Sequence, residues 1–116
     1  METTKLEKAI LDYIAERNPD PRLHAQIGTL TVGSRDYTGV GAYTYFAFSS
    51  RIQANRILNP RVPYPGPNFS STRLEHGAGS VVWCGGDGFL SCIEIFSYSD
   101  DYPPEEFDFA LMTDDQ

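Results

Sequence analysis

The sequence predicts an α+β domain, an N-terminal helix packed on a mainly antiparallel sheet of about five or six strands. Three observations carry this: a capped amphipathic stripe at the start of the chain, a two-run β pattern around an Asp-Gly turn near its end, and a second pair of alternating runs between them. Its 116 residues suit one domain, 1–116, with one hydrophobic core.

Thr4-Lys5-Leu6-Glu7 has the capping-box pattern, in which the Thr hydroxyl and the Glu carboxylate satisfy free backbone donors at a helix start. Leu6, Ala9, Ile10, Tyr13 and Ile14 follow at spacings of three and four, the apolar stripe of one helix over about residues 4 to 17. Asn18-Pro19 stops it, because proline disfavours helical geometry in the residue before it. Ile27 to Val32 alternates, as does Val40 to Ser49, so these runs read as a hairpin joined by residues 33–39. Tyr43 and Tyr45 then share one face of the second run, either a half-wet sheet surface or the wall of a ligand cleft. From Ser50 to Arg73, Pro60, Pro63, Pro65 and Pro67 predict an extended surface connector, with a short piece of structure around Ile52 to Leu58.

Ser80 to Tyr98 is the stretch around which the rest must pack. Its two β-rich runs flank Gly85-Gly86-Asp87-Gly88, and Asp-Gly tolerates the positive φ of tight hairpin turns. A loop with an even number of residues sets Cys92 opposite Val81 or Trp83, and Cys84 opposite Phe89 or Ser91. The two cysteines then point to opposite faces and do not bridge. Both rows of the second strand are largely apolar, which predicts cover on both sides. Glu94 stands in one of these rows, so its carboxylate must reach solvent, be paired, or serve as the acid of a pocket. Phe107 to Met112 reads as a last, short edge strand, with Asp108 on its outer side.

Charge is unevenly distributed. Residues 1–73 hold all nine Lys and Arg against six acids, a net +3, whereas residues 74–116 hold ten acids and no Lys or Arg, a net −10. An acidic surface repels nucleic acid, whose backbone demands clustered cations, and attracts a basic protein partner. No apolar run approaches the 18 residues of a membrane span and no secretory leader is evident, so the expected setting is cytoplasmic. Cys84, Cys92, His24 and His76 match no zinc spacing, and neither a metal nor another cofactor is expected. Gly77-Ala78-Gly79 precedes a strand instead of a helix, so it does not form a phosphate loop.

The segment from Gly79 to Phe107 resembles a pattern seen in small, poorly characterised bacterial proteins: an apolar strand with Trp83, a turn with Gly88, a second strand Cys92-Ile93-Glu94-Ile95-Phe96, then an acidic linker and Pro103-Pro104. Several of these are suspected immunity proteins of toxin systems. The resemblance implies an inhibitor that meets a basic toxin with an acidic surface, and it brings no catalytic residue. The sequence therefore points to a protein-binding or inhibitor module whose contact residues are His76, Trp83, Glu94, Tyr98, Asp100, Asp101, Glu105 and Glu106. The alternative is an enzyme or small-ligand binder with Glu94 and His76 at the mouth of the sheet, which requires the two to meet. The aromatic content also permits a homodimer.

Overall fold

The computed structural model describes residues 1–99 and 101–112. Helices α1 (Lys5–Arg17) and α2 (Pro21–Thr29) precede seven strands: β1 (Thr31–Tyr37), β2 (Gly41–Ala47), β3 (Tyr64–Pro65), β4 (Phe69–Ser71), β5 (Leu74–Cys84), β6 (Leu90–Ser97) and β7 (Ala110–Leu111). All pairings are antiparallel, in the order β1-β2-β6-β5-β4-β7, with β3 also on β5. The predicted class holds, with one more helix and more strands than expected.

Both halves of the capping box form in α1. The Glu7 N–H donates to the Thr4 hydroxyl at 3.1 Å, and the Thr4 N–H donates to the Glu7 carboxylate at 2.8 Å. Helix α2 replaces the expected strand over 27–32: Ile27, Gly28 and Thr29 are its last turn. Asp20 caps it by accepting from the Arg22 N–H at 2.9 Å, and Pro21 supplies the preset φ of a first helical residue. The strand that follows therefore begins at Thr31 and runs through residues expected to be loop, with a bulge between Val32 and Ser34. The turn of this hairpin is Thr38-Gly39-Val40, where Gly39 takes φ +89°.

The central hairpin is present as expected, with a different loop. Five residues, Gly85 to Phe89, separate Cys84 from its partner Leu90, and a bulge next to Trp83 then restores the register that sets Cys92 opposite Trp83. Both cysteines are free and buried, Cys84 within the main core and Cys92 on the other side of the sheet. The proline-rich segment does more than connect. It makes a 3₁₀ turn at Gln53–Asn55 and contributes β3 and β4, because its apolar residues Ile57, Tyr64, Pro67 and Phe69 are anchored in the core between the prolines.

The register sorts every side chain to one of two faces. Arg35, Thr44, Ile93, Val82 and Tyr64 lie on the inner face, where Ile10, Leu11, Ile14 and Leu23 of the helices complete the core. Gln26 of α2 clamps the central hairpin: its amide donates to the carbonyls of Asn55 (2.7 Å) and Gly88 (2.9 Å) and accepts from the Leu90 N–H (2.9 Å). The chain after Tyr98 also returns to the inner side. Tyr102 is buried, Phe107 and Phe109 pack against the core, and β7 pairs with β4 as the expected edge strand. Among the described residues the outer face carries no such layer. Val81, Trp83, Glu94 and Phe96 are half-buried, so the expected cover on both sides is not there; neighbouring aromatic rings shield one another instead.

Candidate functional site

The uncovered face is built from alternate residues of four adjacent strands. One cross-strand row reads Asp36, Tyr43, Glu94, Val81, and the next Ser34, Tyr45, Cys92, Trp83. A third places Gly41, Phe96 and Gly79 together. Gly79 is needed there, since a Cβ would run into the Phe96 ring and the Tyr98 hydroxyl. Phe96 and Tyr98 meet edge to face at 5.8 Å, and Tyr43 and Tyr45 stack at 6.0 Å with ring planes 15° apart. These arrangements favour a stable platform of rings.

Glu94 lies at its centre. One carboxylate oxygen accepts the Trp83 indole N–H at 2.9 Å, and the other accepts the Tyr43 hydroxyl at 3.2 Å. The negative charge of Glu94 pushes the Tyr43 pKa up, so this phenol keeps its proton and remains a donor. Neither expected partner for Glu94, an arginine or a pocket, is what satisfies it. Two aromatic donors hold it from either side, and Tyr45 beside them is 39% exposed.

The other expected contact residues divide among separate places. Tyr98 shares the outer face, 52% exposed, its hydroxyl donating to Asn68 Oδ1 at 2.7 Å. His76 donates its backbone N–H to Ser99 Oγ at 3.1 Å, as the register predicts, while its ring faces Glu75 at 3.8 Å. It precedes by five residues Val81, the partner of Glu94, which separates the two by about 17 Å along the strand. They share no proton. Asp101 and Glu106 are exposed, and Glu105 pairs with Arg73 at 2.7 Å. Glu105 and Glu106 border a cavity on the helix side, away from Glu94. Asp100 lies outside the described residues. Asp87 and Asp108 are engaged as well, Asp87 with Arg51 at 2.7 Å and Asp108 with the Thr72 hydroxyl at 2.6 Å.

That helix-side cavity measures about 80 Å³, small beside the roughly 300 Å³ and more of an ordinary ligand pocket. Beside it is a buried polar cluster that sequence reasoning missed. Glu7 is 4% exposed; its oxygens accept from Arg35 Nε and Nη2, both at 2.8 Å, and from the Thr44 hydroxyl at 2.7 Å, besides the Thr4 N–H. Burial pushes the Glu7 carboxyl up, but these donors outweigh it and hold its pKa below the ordinary carboxylate value. Every acceptor position is in use, so this cluster holds the fold together and has nothing left to offer a ligand. The sequence marked Glu7 as a cap, and nothing in its spacing announced a second partner 28 residues away.

Two wider surface grooves lie elsewhere, one of about 400 Å³ between α1 and Leu111-Met112, the other of about 370 Å³ around Asp20, Arg61 and Tyr64. Neither includes Glu94 or His76. No helix among the described residues is long and apolar enough to cross a membrane. Comparison with protein-family models, with curated proteins and with solved structures finds no match to this chain.

Proposed function

We propose that this protein is a binding module that engages a basic protein partner through the uncovered face of its sheet. The observation that carries the reading is the composition of that face. Tyr43, Tyr45, Trp83, Phe96 and Tyr98 surround the Glu94 carboxylate, Asp36 stands at the border, and no Lys or Arg occupies an outward register position among the described residues. Aromatic residues enrich the energetic centres of protein interfaces, because they bury much area with little loss of side-chain freedom. The net charge of −7 adds long-range attraction for a cationic partner and speeds encounter. A basic toxin met in the cytoplasm, as the resemblance to suspected immunity proteins implies, is one form such a partner takes.

The acids of the C-terminal segment have a secondary part. Asp101, Glu105 and Glu106 strengthen the field around the molecule, the last two from its helix side, and the contact itself is made by the rings and Glu94.

The test is affinity capture from the native source by wild-type protein and by a Tyr45→Ser/Glu94→Lys variant, at low and high salt. A basic protein retained by the wild type, released as salt rises and not retained by the variant is expected. Equal capture by both proteins, or a captured set with no basic member, overturns the reading. Glu16→Gln, an exposed change on α1 and so across the sheet from the face, is the control that leaves capture intact.

A further inference from the structure

We infer that the Glu94 carboxylate, framed by Trp83, Tyr43 and Tyr45, is a receptor for a single arginine side chain of the protein partner. The inference rests on the reading of this face as the docking surface and names the group it takes.

A carboxylate has about four acceptor positions. Trp83 and Tyr43 use one on each oxygen of Glu94, so each oxygen keeps a lone pair, and both oxygens are fixed in place before anything binds. Two fixed acceptors on one planar group match the parallel N–H pair of a guanidinium, whereas an ammonium engages as a point charge. The stacked Tyr43 and Tyr45 rings on one side and the indole on the other are surfaces on which a delocalised cation is attracted by the ring quadrupole.

Charge decides among occupants. A second copy of this chain would set Glu94 and Asp36 against the same carboxylates with no cation to offset them, and an acidic or phosphorylated segment fares worse. Among the described residues no Lys or Arg pairs with Glu94, whose partners are Tyr43 and Trp83, while Arg35, Arg51 and Arg73 are engaged by Glu7, Asp87 and Glu105. Cys92, behind Tyr45 and Trp83 in the same row, is buried, and burial raises its thiol pKa, so it offers no competing reactive group.

Trp83 is the sole tryptophan of the chain, so its fluorescence and its indole N–H resonance report this site alone. The probes are three capped tripeptides, Gly-X-Gly with X arginine, lysine or citrulline, titrated into the full chain. Saturable shifts of the indole signal are expected with the arginine peptide in the millimolar range, at least fivefold weaker with lysine, and absent with citrulline, which keeps the shape and loses the charge. Glu94→Gln and Tyr45→Ser are each expected to weaken the arginine peptide at least fivefold, while Glu16→Gln on α1 leaves it unchanged. Tyr45 makes no hydrogen bond to Glu94, so its variant tests the ring wall even if the Glu94 variant is poorly folded. Equal response to arginine and citrulline, lysine as effective as arginine, no saturable shift with arginine, or an unaffected Tyr45→Ser variant overturns the inference. If arginine selectivity fails while partner capture still depends on Tyr45, the receptor falls and the docking face stands; if capture ignores the face, the functional reading falls whatever the peptides do.

Discussion

Two carboxylates, one on each face of the same sheet, show how differently a fold can treat one functional group. Glu7 is sealed between α1 and the inner face, with Arg35, Thr44 and the Thr4 backbone using all its acceptor capacity. Glu94 is held by two neutral donors, stays half-buried and keeps capacity to spare. The first arrangement stabilises a unique packing of helix on sheet, and the second presents a pre-oriented charge outward. Saturation and access separate a structural acid from one available for recognition, since each buried donor or acceptor must be matched within the protein.

The sharpest way to break this contrast is to strip Glu7 of its cation. Arg35→Met leaves a buried carboxylate uncompensated and is expected to lower stability by about 3–5 kcal/mol, read as a shift of the urea midpoint. Adding Glu7→Gln to that variant should recover part of the loss. A loss below about 1 kcal/mol for the single change would mean that water reaches Glu7.

Adjacent residues of β6 give the next test. Ile93 is fully buried on the inner face, and Ile93→Ala should cost about 2–5 kcal/mol. Glu94→Gln, one residue on, keeps an acceptor for the Trp83 indole and turns an amide donor toward the Tyr43 hydroxyl, which can accept it, and should cost less than about 1 kcal/mol. Similar losses for both would erase the distinction between the faces.

The pH profile sharpens it further. The Glu7 pKa is lower in the folded than in the unfolded chain, so the unfolded chain binds more protons between the two values; this contribution is whole above about pH 4.5 and disappears as pH falls through the folded value. Asp108, held down first by the Thr72 hydroxyl, acts in the same direction from a lower starting value. At the alkaline end the sign reverses. Burial raises Cys84 and Cys92 from about 9 and Tyr102 from about 10, so the unfolded chain releases protons that the folded chain retains, and stability falls as pH rises past those values. Urea midpoints for wild type, Glu7→Gln and Tyr102→Phe between pH 3 and 11 are expected to show a flatter acid arm in the first variant and a flatter alkaline arm in the second.

The smallest effect is expected on the open face. Tyr45→Ser removes an exposed ring and should move stability by about 0.5 kcal/mol or less in thermal or urea unfolding. A large loss there would make the aromatic platform a structural layer in its own right.

Much of the frame was readable in advance because its signals are local. The capping box at Thr4, the arrest at Asn18-Pro19 and the two runs flanking Asp87-Gly88 each act over a few residues, and each forms where expected. Asp20-Pro21 was an equally local helix start, overlooked because Ile27 to Val32 also alternates; nine residues of helix win once Leu23 and Gln26 are buried. The bulge beside Trp83 was not legible, as it arises from fitting a five-residue turn against Arg56 and Ile57, which lie close around Gly88. Of the site, Trp83, Glu94 and Tyr98 are named from the sequence, and Tyr43 and Tyr45 are read as sharing one face, a half-wet surface or the wall of a cleft, with nothing local to place them beside Glu94. His76 was grouped with Glu94 because both flank the same hairpin, although the strand sets them far apart.

Alternation and capping by themselves determined that this chain makes a helix and antiparallel hairpins, and composition determined that it is acidic, since these depend on the order and count of residues alone. The tertiary structure decided which strand lies beside which, and thereby put Tyr43 of one hairpin against Glu94 of another, Arg35 under α1, and Glu105 and Glu106 on the helix side of the sheet, away from Glu94. Backbone hydrogen bonds pair strands without regard to the side chains that carry function; burial of the inner face fixed the order, and the outer face took the neighbours that order imposed.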